Sequence, residues 1–310
     1  MGCIGMDIGV SLHPRIDQAN AVDDILEQAD RAQRAGLTRV WLGQRLSHDA
    51  LGLASLIGHS HPELRVGTSV VPINPRHPLT LASQAQTAQA ASHGRFTLGL
   101  GLGSPKMERE SFGITADRQI GILREYLTVL RGIIDHGTVD HHGEHYTAAP
   151  NQNAAVPGGT PLPVLVAAMG PQALRVTAEL ADGTLPYLAG PRTLSDHIVP
   201  TLASVKGARP QRVVVGLAAA LTNQPDRVRA KAREAMEQYA TIPSYRRVVS
   251  REGLDHPVDL ALIGDEKTLT EGLRRYADAG AGEVFIAQTD LDGVEAQRRT
   301  WEFLASISDG

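Results

Sequence analysis

Cysteine is almost missing from this chain: Cys3 stands alone among 310 residues. A lone thiol cannot close an internal disulfide or build a zinc site by itself, and it fits a reducing, cytoplasmic setting. Excess positive charge is missing as well. With 30 Lys and Arg against 34 Asp and Glu, the formal net charge is −4 with the 12 His neutral, which excludes a generally basic nucleic-acid binder. Long apolar runs are absent too. The stretch from Val213 to Leu221, among the longest, falls far short of the roughly 20 residues that a membrane span needs, so a soluble protein is expected. The opening Met-Gly-Cys-Ile-Gly-Met has Met6 where N-myristoylation requires Ser or Thr. The apolar stretch from Ile4 to Val10 runs at once into Leu12-His13-Pro14-Arg15, unlike an export signal. Neither lipidation nor export is expected. No low-complexity linker and no repeat longer than a strand-helix unit divides the chain. At ~150 residues per domain the choice lies between two domains and one large barrel, and a single domain over residues 1–310 is expected.

What is present is an alternation. Eight β-rich runs, at residues 4–10, 38–43, 64–71, 95–101, 162–168, 183–187, 212–221 and 283–287, are separated by stretches of helical period such as 23–35, 79–92, 117–136, 172–180 and 268–279. Cys3 reads as an ordinary residue of the first strand region. Glycine supplies 31 of 310 residues, above the usual ~7%, and Gly36, Gly94, Gly183 and Gly280 fall where helices are expected to stop. The chain is somewhat longer than the ~250 residues typical of a (β/α)8 TIM barrel. An α/β barrel of that kind is the expected fold, with insertions at 104–116, 137–161 and 225–259 that would form a lid or a subunit contact. A doubly wound sheet is the other reading.

In a parallel barrel the functional groups gather at the C-terminal ends of the strands. Gly170-Pro171-Gln172 leaves backbone N–H groups free at a helix start, where the positive helix end favours a phosphate and proline suits the first turn. The same residues also make a compact strand-helix turn. Gly99, Gly101 and Gly103 do not meet the G-x-G-x-x-G spacing, and Pro105 with charged neighbours follows where a helix should begin, so a Rossmann site is not expected. Their alternation means either close approach of something flat or tight packing inside the barrel. His141, His142 and His145 beside Asp140 and Glu144 have metal-ligand chemistry. Adjacent His141 and His142 point to opposite faces of an extended segment, however, and Gly143 marks a turn, so no metal site is expected. Arg76 and His77 could hold an anion near the mouth, or could pair with a carboxylate and fix a helix entry.

An ordered set of motifs carries a resemblance: Val40-Trp41-Leu42-Gly43, Gly67-Thr68-Ser69-Val70-Val71-Pro72, Pro75-Arg76-His77-Pro78, Gly94-Arg95-Phe96 through Gly101, and Gly170-Pro171-Gln172 through Glu179-Leu180-Ala181-Asp182-Gly183. Further along come Pro191-Arg192-Thr193-Leu194, Pro243-Ser244-Tyr245-Arg246 and Leu262-Ile263-Gly264-Asp265-Glu266. The chain resembles the bacterial luciferase-like superfamily, in its actinobacterial branch of coenzyme F420-dependent oxidoreductases, over nearly its whole length. The resemblance implies a barrel that holds a deazaflavin across the strand ends. A bulge with a non-proline cis peptide at Ser69-Val70 would back the ring, Gly101, Leu102 and Gly103 would lie near it, and Met169, Gly170, Pro171 and Gln172 would lie near the phosphate.

The departures bear on direction. Members that oxidise alcohols or sugar phosphates carry an Asp-His pair after the second strand, where this chain has Gly43-Gln44, and sugar-phosphate oxidisers place a Glu where Ser104 stands. An amide does not titrate in the useful range. The resemblance therefore implies reduction of a C=C or C=N bond of a small substrate by reduced F420, with a proton from water, His48 or His13, and with Gln44 beside the cofactor. Two other readings stay open: an FMN-dependent monooxygenase of the same superfamily, and a cofactor-binding barrel without catalysis. A homodimer is implied by the family, with no membrane or nucleic-acid partner.

Overall fold

The computed structural model describes residues 4–15, 17–115 and 118–309. Eight parallel strands close on themselves: β1 Asp7–Leu12, β2 Arg39–Leu42, β3 Arg65–Thr68, β4 Phe96–Gly101, β5 Val164–Val166, β6 Gly183–Thr184, β7 Arg212–Leu221 and β8 Glu283–Ala287. Each pairs with the next, and β8 pairs back to β1 with Asp7 opposite Glu283 and Val10 opposite Ile286. This is a (β/α)8 barrel. Its strands read as short unbroken apolar runs because side chains are covered on both faces, and β7 is buried from Val213 to Ala220. Trp41, Leu165, Leu185, Val214 and Phe285 form a plug inside the barrel, while the large core lies between strands and helices.

The surrounding helices are α1 Ala21–Arg34, α2 Ala50–Ser60, α3 Pro78–Ala91, α4 Pro105–Phe112, α5 Gln119–His136, α6 Pro171–Leu180, α7 Pro225–Thr241, α8 Pro243–Glu252, α9 Glu266–Asp278 and α10 Val294–Ile307. Local chemistry starts them. Asn20, Asp49 and Asp265 accept first-turn N–H groups of α1, α2 and α9, and proline opens α3, α4 and α6. A further helical stretch covers residues 191–203. Among the described residues no helix is long and apolar enough to cross a membrane.

Several expectations shift. The first strand begins at Asp7, because Gly5 takes φ +72° and Ile4 N–H instead meets the Ile307 carbonyl at 3.3 Å; Cys3 lies outside the described residues. Asp117, expected to begin a helix, also lies outside them, as does Ala116. Gly36, Gly94 and Gly280 follow helices with positive φ. Gly183 does not stop a helix: it opens β6, where an added Cβ would strike the Arg212 backbone. A helix, α4, does begin at Pro105, with Ser104 accepting Met107 N–H at 3.5 Å, so the expectation that none starts there was wrong. The expected sixth strand is cut short after Thr184, although Tyr187 still bridges Gly216.

The three insertions have distinct forms. That at 137–161 holds a hairpin of His141–His142 and Thr147–Ala148, and that at 225–259 becomes α7, α8 and the turn Pro257–Leu260. A ninth parallel strand, Leu262–Gly264, runs outside the barrel along the end of β7.

The N-terminal end of the barrel is braced by polar groups. Glu283, buried in β8, accepts Trp41 Nε1–H at 2.9 Å and Arg212 Nη2–H at 3.1 Å. Asp182 accepts Val164 N–H at 2.8 Å and pairs with Arg131 and Arg209. Three of the motifs behind the family resemblance thus supply struts, since Arg95 likewise donates to the carbonyls of Gly58, His61 and Leu64.

Candidate active site

The site is built where the third strand fails to run on. β3 stops at Thr68, the Ser69-Val70 peptide is cis, and Val71–Pro72 resumes pairing beside β4. Thr68 Oγ1 donates to the Gly99 carbonyl at 3.0 Å and accepts Gly99 N–H at 2.9 Å. Ser69 N–H donates to the Leu42 carbonyl at 2.7 Å and Gln44 N–H to the Val70 carbonyl at 3.1 Å. The bulge is therefore stitched to β2. Ser69 Oγ is buried without a partner, and Val70 lies against the barrel plug.

The glycines beside the bulge do different jobs. A Cβ on Gly99 would strike the Thr68 carbonyl and come within 2.6 Å of Leu185 Cδ2, so that position is packing inside the barrel. A Cβ on Gly101 would meet Val70 Cγ2 at 2.6 Å. Gly103 has φ +80° and lies directly over the carboxyl of Glu108 from α4. Glu108 is buried, and neither carboxyl oxygen has a hydrogen-bond partner. Burial pushes its pKa up, which the neighbouring Asn74 amide offsets only in part.

After β5 the chain reaches Met169, whose carbonyl accepts from His197 Nε2 at 2.9 Å. Gly170 then precedes α6 with Pro171 in the first turn and no side chain capping the helix. A Cβ on Gly170 would meet nothing within 4 Å. The first N–H groups of α6 are thus left without a side-chain cap beside an open position, the geometry that seats a phosphate. The opening continues into a cleft of about 670 Å³ lined by Gln172, Pro105, Arg118, His145 and neighbours.

After β2, Gln44 is fully engaged. Its Nε2 donates to the carbonyls of Arg45 and His48, both at 2.7 Å, and its Oε1 accepts Ala50 N–H and Arg76 Nη2–H, both at 3.1 Å. Arg76 also pairs with Asp49 at 3.0 Å, and His77 accepts Leu79 N–H at the start of α3, so both serve the loop. His48 Nε2 lies 3.1 Å from the Gly43 carbonyl. Burial pushes that imidazole below its ordinary pKa, with Arg45 and His13 adding to the effect and the Gly43 carbonyl opposing it. His13, just past β1, stands 3.5 Å from Asp290, just past β8, and both are part-exposed. The hydrogen bond with His13 holds the Asp290 carboxyl below its usual range. The Gln28 amide fixes the His13 backbone by donating to its carbonyl at 2.8 Å.

The histidines of the hairpin lie elsewhere. His141 meets Glu125 at 3.3 Å and His142 meets Asp140 at 3.1 Å, and among the described residues no group of three or more His, Cys, Asp or Glu is arranged to hold a metal ion.

One end of one barrel therefore carries His13, Gln44, His48, Ser69, Val70, Gly101, Leu102, Gly103, Met169, Gly170, Pro171 and Gln172, each past or at the end of its strand. The model of the luciferase-like monooxygenase family matches residues 6–283. The chain belongs to that family. A Mycobacterium tuberculosis protein, provisionally named a coenzyme F420-dependent oxidoreductase, is 28% identical to this luciferase-like chain over 173 residues, 52% of this chain and 50% of its own. The chain thus spans about half of that relative's length. The 5,10-methylenetetrahydromethanopterin reductase of Methanolobus tindarius is 24% identical over 263 residues, 84% of this chain and 78% of its own. The solved coenzyme F420-dependent tetrahydromethanopterin reductase of Methanopyrus kandleri superposes with a TM-score of 0.80 at 18% identity, covering 98% of both chains, a likeness of fold.

The sequence reading of this luciferase-like site missed Glu108, Asp290 and three tyrosines, Tyr187, Tyr239 and Tyr245. Glu108 sits in the charged run Lys106-Met107-Glu108-Arg109-Glu110, which looks like a solvated face. Only its spacing of four residues from Ser104, the cap of α4, marks it as a residue of that helix's first turns.

Proposed function

We propose that this luciferase-like protein is a coenzyme F420-dependent oxidoreductase working as a reductase, with reduced F420 as hydride source and a C=C or C=N bond of a small organic molecule as acceptor. The observation that carries the direction is Gln44, an amide with every hydrogen-bonding position occupied, where alcohol oxidation would need a base. The names of the relatives support the cofactor, and the residues present fit it. The uncapped start of α6 at Gly170, Pro171 and Gln172, with Met169 before it, suits a phosphate. Ser69, Val70, Gly101, Leu102 and Gly103 offer a bulge and a near side-chain-free edge to a flat ring.

When bound, the cofactor would supply a hydride. The chain's own part is to orient the reactants and provide a proton. His13, held by Asp290, is the proton donor in this reading, whereas burial disfavours the charged form of His48. The family resemblance adds a cytoplasmic homodimer to the proposal, with assembly read by sedimentation.

Titration of the purified protein with F420 and, separately, with FMN tests the reading through the fluorescence of the buried Trp41 and Trp301. Selective F420 binding is expected. Selective FMN binding would overturn it in favour of an FMN-dependent monooxygenase, the activity in the family's name, because a deazaflavin has carbon in place of a ring nitrogen and its reduced form does not activate oxygen. F420 binding with no turnover of any enone or imine would make the protein a non-catalytic cofactor-binding barrel.

A further inference from the structure

Aromatic residues are only 4% of the chain, yet five of them form one continuous cluster that runs from the plug inside the barrel to its mouth. Phe285 of β8 lies 5.6 Å from Trp41 of β2 and stacks on Tyr187, past β6, at 6.4 Å and 19°. Tyr187 in turn meets Tyr239 of α7 at 5.3 Å and Tyr245 of α8 at 6.3 Å, and those two meet each other at 5.0 Å. The inserted helices thus extend the barrel plug outward as a wall of tyrosines.

Two features of this wall are unspent. The hydroxyls of Tyr126 and Tyr276 are sealed in the core without partners; those of Tyr187 and Tyr245 are not sealed, yet they too make no hydrogen bond with the described residues. Burial, reinforced by neighbouring tyrosines, pushes both phenols up, so they remain donors. The second feature is Arg45 in the loop between β2 and α2. It is close enough to draw the ionisation of Tyr187 and Tyr239 back down, and its guanidinium has no ion pair or hydrogen bond among the described residues. A π surface, two free phenol donors and an exposed guanidinium in the loop at the same end of the barrel match a flat ligand with an anionic oxygen group.

We propose that Arg45, Tyr187, Tyr239 and Tyr245 form the substrate subsite, and that it selects a planar conjugated carboxylic acid, with the rings against its π face and Arg45 on its carboxylate. The assignment names the substrate class for the reductase reading above and rests on it for chemistry, but its binding test needs no cofactor.

Isothermal titration of the cofactor-free protein with trans-cinnamate and with methyl cinnamate reads the subsite directly. The acid binds about tenfold more tightly than the ester, the worth of one charge-assisted contact. Arg45→Gln abolishes that preference while leaving the ester unchanged. Tyr245→Phe, which keeps the ring, weakens the acid several-fold, and Tyr239→Leu weakens acid and ester alike. Equal affinity for acid and ester, a preference that survives Arg45→Gln, or no binding of either compound overturns the proposal. Circular dichroism of each variant separates lost binding from lost folding. If cinnamate selectivity holds and F420 fails to bind, the subsite stands and the cofactor reading falls; the reverse result removes the subsite alone.

Discussion

At position 44 the chain has an amide whose donors and acceptors are all used within its own loop, so any proton traffic falls to other side chains at the mouth. His48 is poorly suited, being partly buried and held on a backbone carbonyl, with burial disfavouring its charged form. His13 is part-exposed, faces a carboxylate and has its backbone pinned, the arrangement that fixes a ring for proton transfer. His13→Gln should therefore lower turnover of an enone by about 100-fold with F420 affinity unchanged, and Asp290→Asn by roughly tenfold. The contrast shows in stopped-flow: an N-methylacridinium ion accepts hydride without a proton, and its reduction should be insensitive to both substitutions. An equal loss with both acceptors would refute the role. His13 and His48 were legible as candidates from their positions past strand ends. Asp290 was not, because the pair forms across the barrel's closure, between residues at opposite ends of the sequence.

Elements differ in how far local pattern defines them. β7 and β8 coincide with their sequence-expected bounds, because a strand covered on both faces leaves an unbroken apolar run. α4 has the opposite character, with Glu108 its one buried residue, so no apolar stripe announces it. The tyrosine wall was invisible for a third reason: its members lie on β6's exit, α7 and α8, and only tertiary packing brings them together. One carboxylate of α5 gathers the turn of the hairpin 141–148. Glu125 accepts the N–H groups of Glu144, His145 and Tyr146 at 2.9 to 3.0 Å and meets His141 at 3.3 Å. Burial pushes its pKa up, but these donors prevail and draw it from 4.5 down to about 2. A carboxylate with a depressed folded pKa stabilises above its unfolded pKa and loses that contribution as pH falls through the folded one. Glu125→Gln should thus destabilise by on the order of 1 kcal/mol at neutral pH, allowing for solvent on its outer side. The deficit should shrink between pH 4.5 and about 2, as urea melts across that range would record; a constant deficit would contradict the assignment.

Across the whole molecule the barrel's two ends divide the labour. The N-terminal end is held by Glu283 with Trp41 and Arg212, and by Asp182 with Arg131 and Arg209. The C-terminal end carries the open Gly170, an uncapped helix and the unpaired Ser69 hydroxyl. Glu283→Ala strands the Trp41 N–H in the interior and should cost about 2 to 3 kcal/mol, lowering the melting temperature by several degrees. The affinity for F420 should stay within twofold; a large change in binding would show that the two ends are coupled.

The ninth strand, Leu262–Gly264, extends the sheet beyond the barrel and ties α7 and α8 to the projecting end of β7. These pieces share an apolar cluster of their own, with Val228, Ala232, Met236, Val248, Val249 and Ile263, distinct from the large core. Segments with separate cores open separately, so amide hydrogens of α7 and α8 should exchange through local openings that leave the barrel closed. A module with its own cohesion can also accumulate substitutions without unsettling the neighbouring floor. Tyr239 and Tyr245 ride on that module, whereas Ser69, Gly101 and Gly170 do not. In evolutionary terms, the part proposed to choose the substrate is detachable from the part proposed to seat the cofactor.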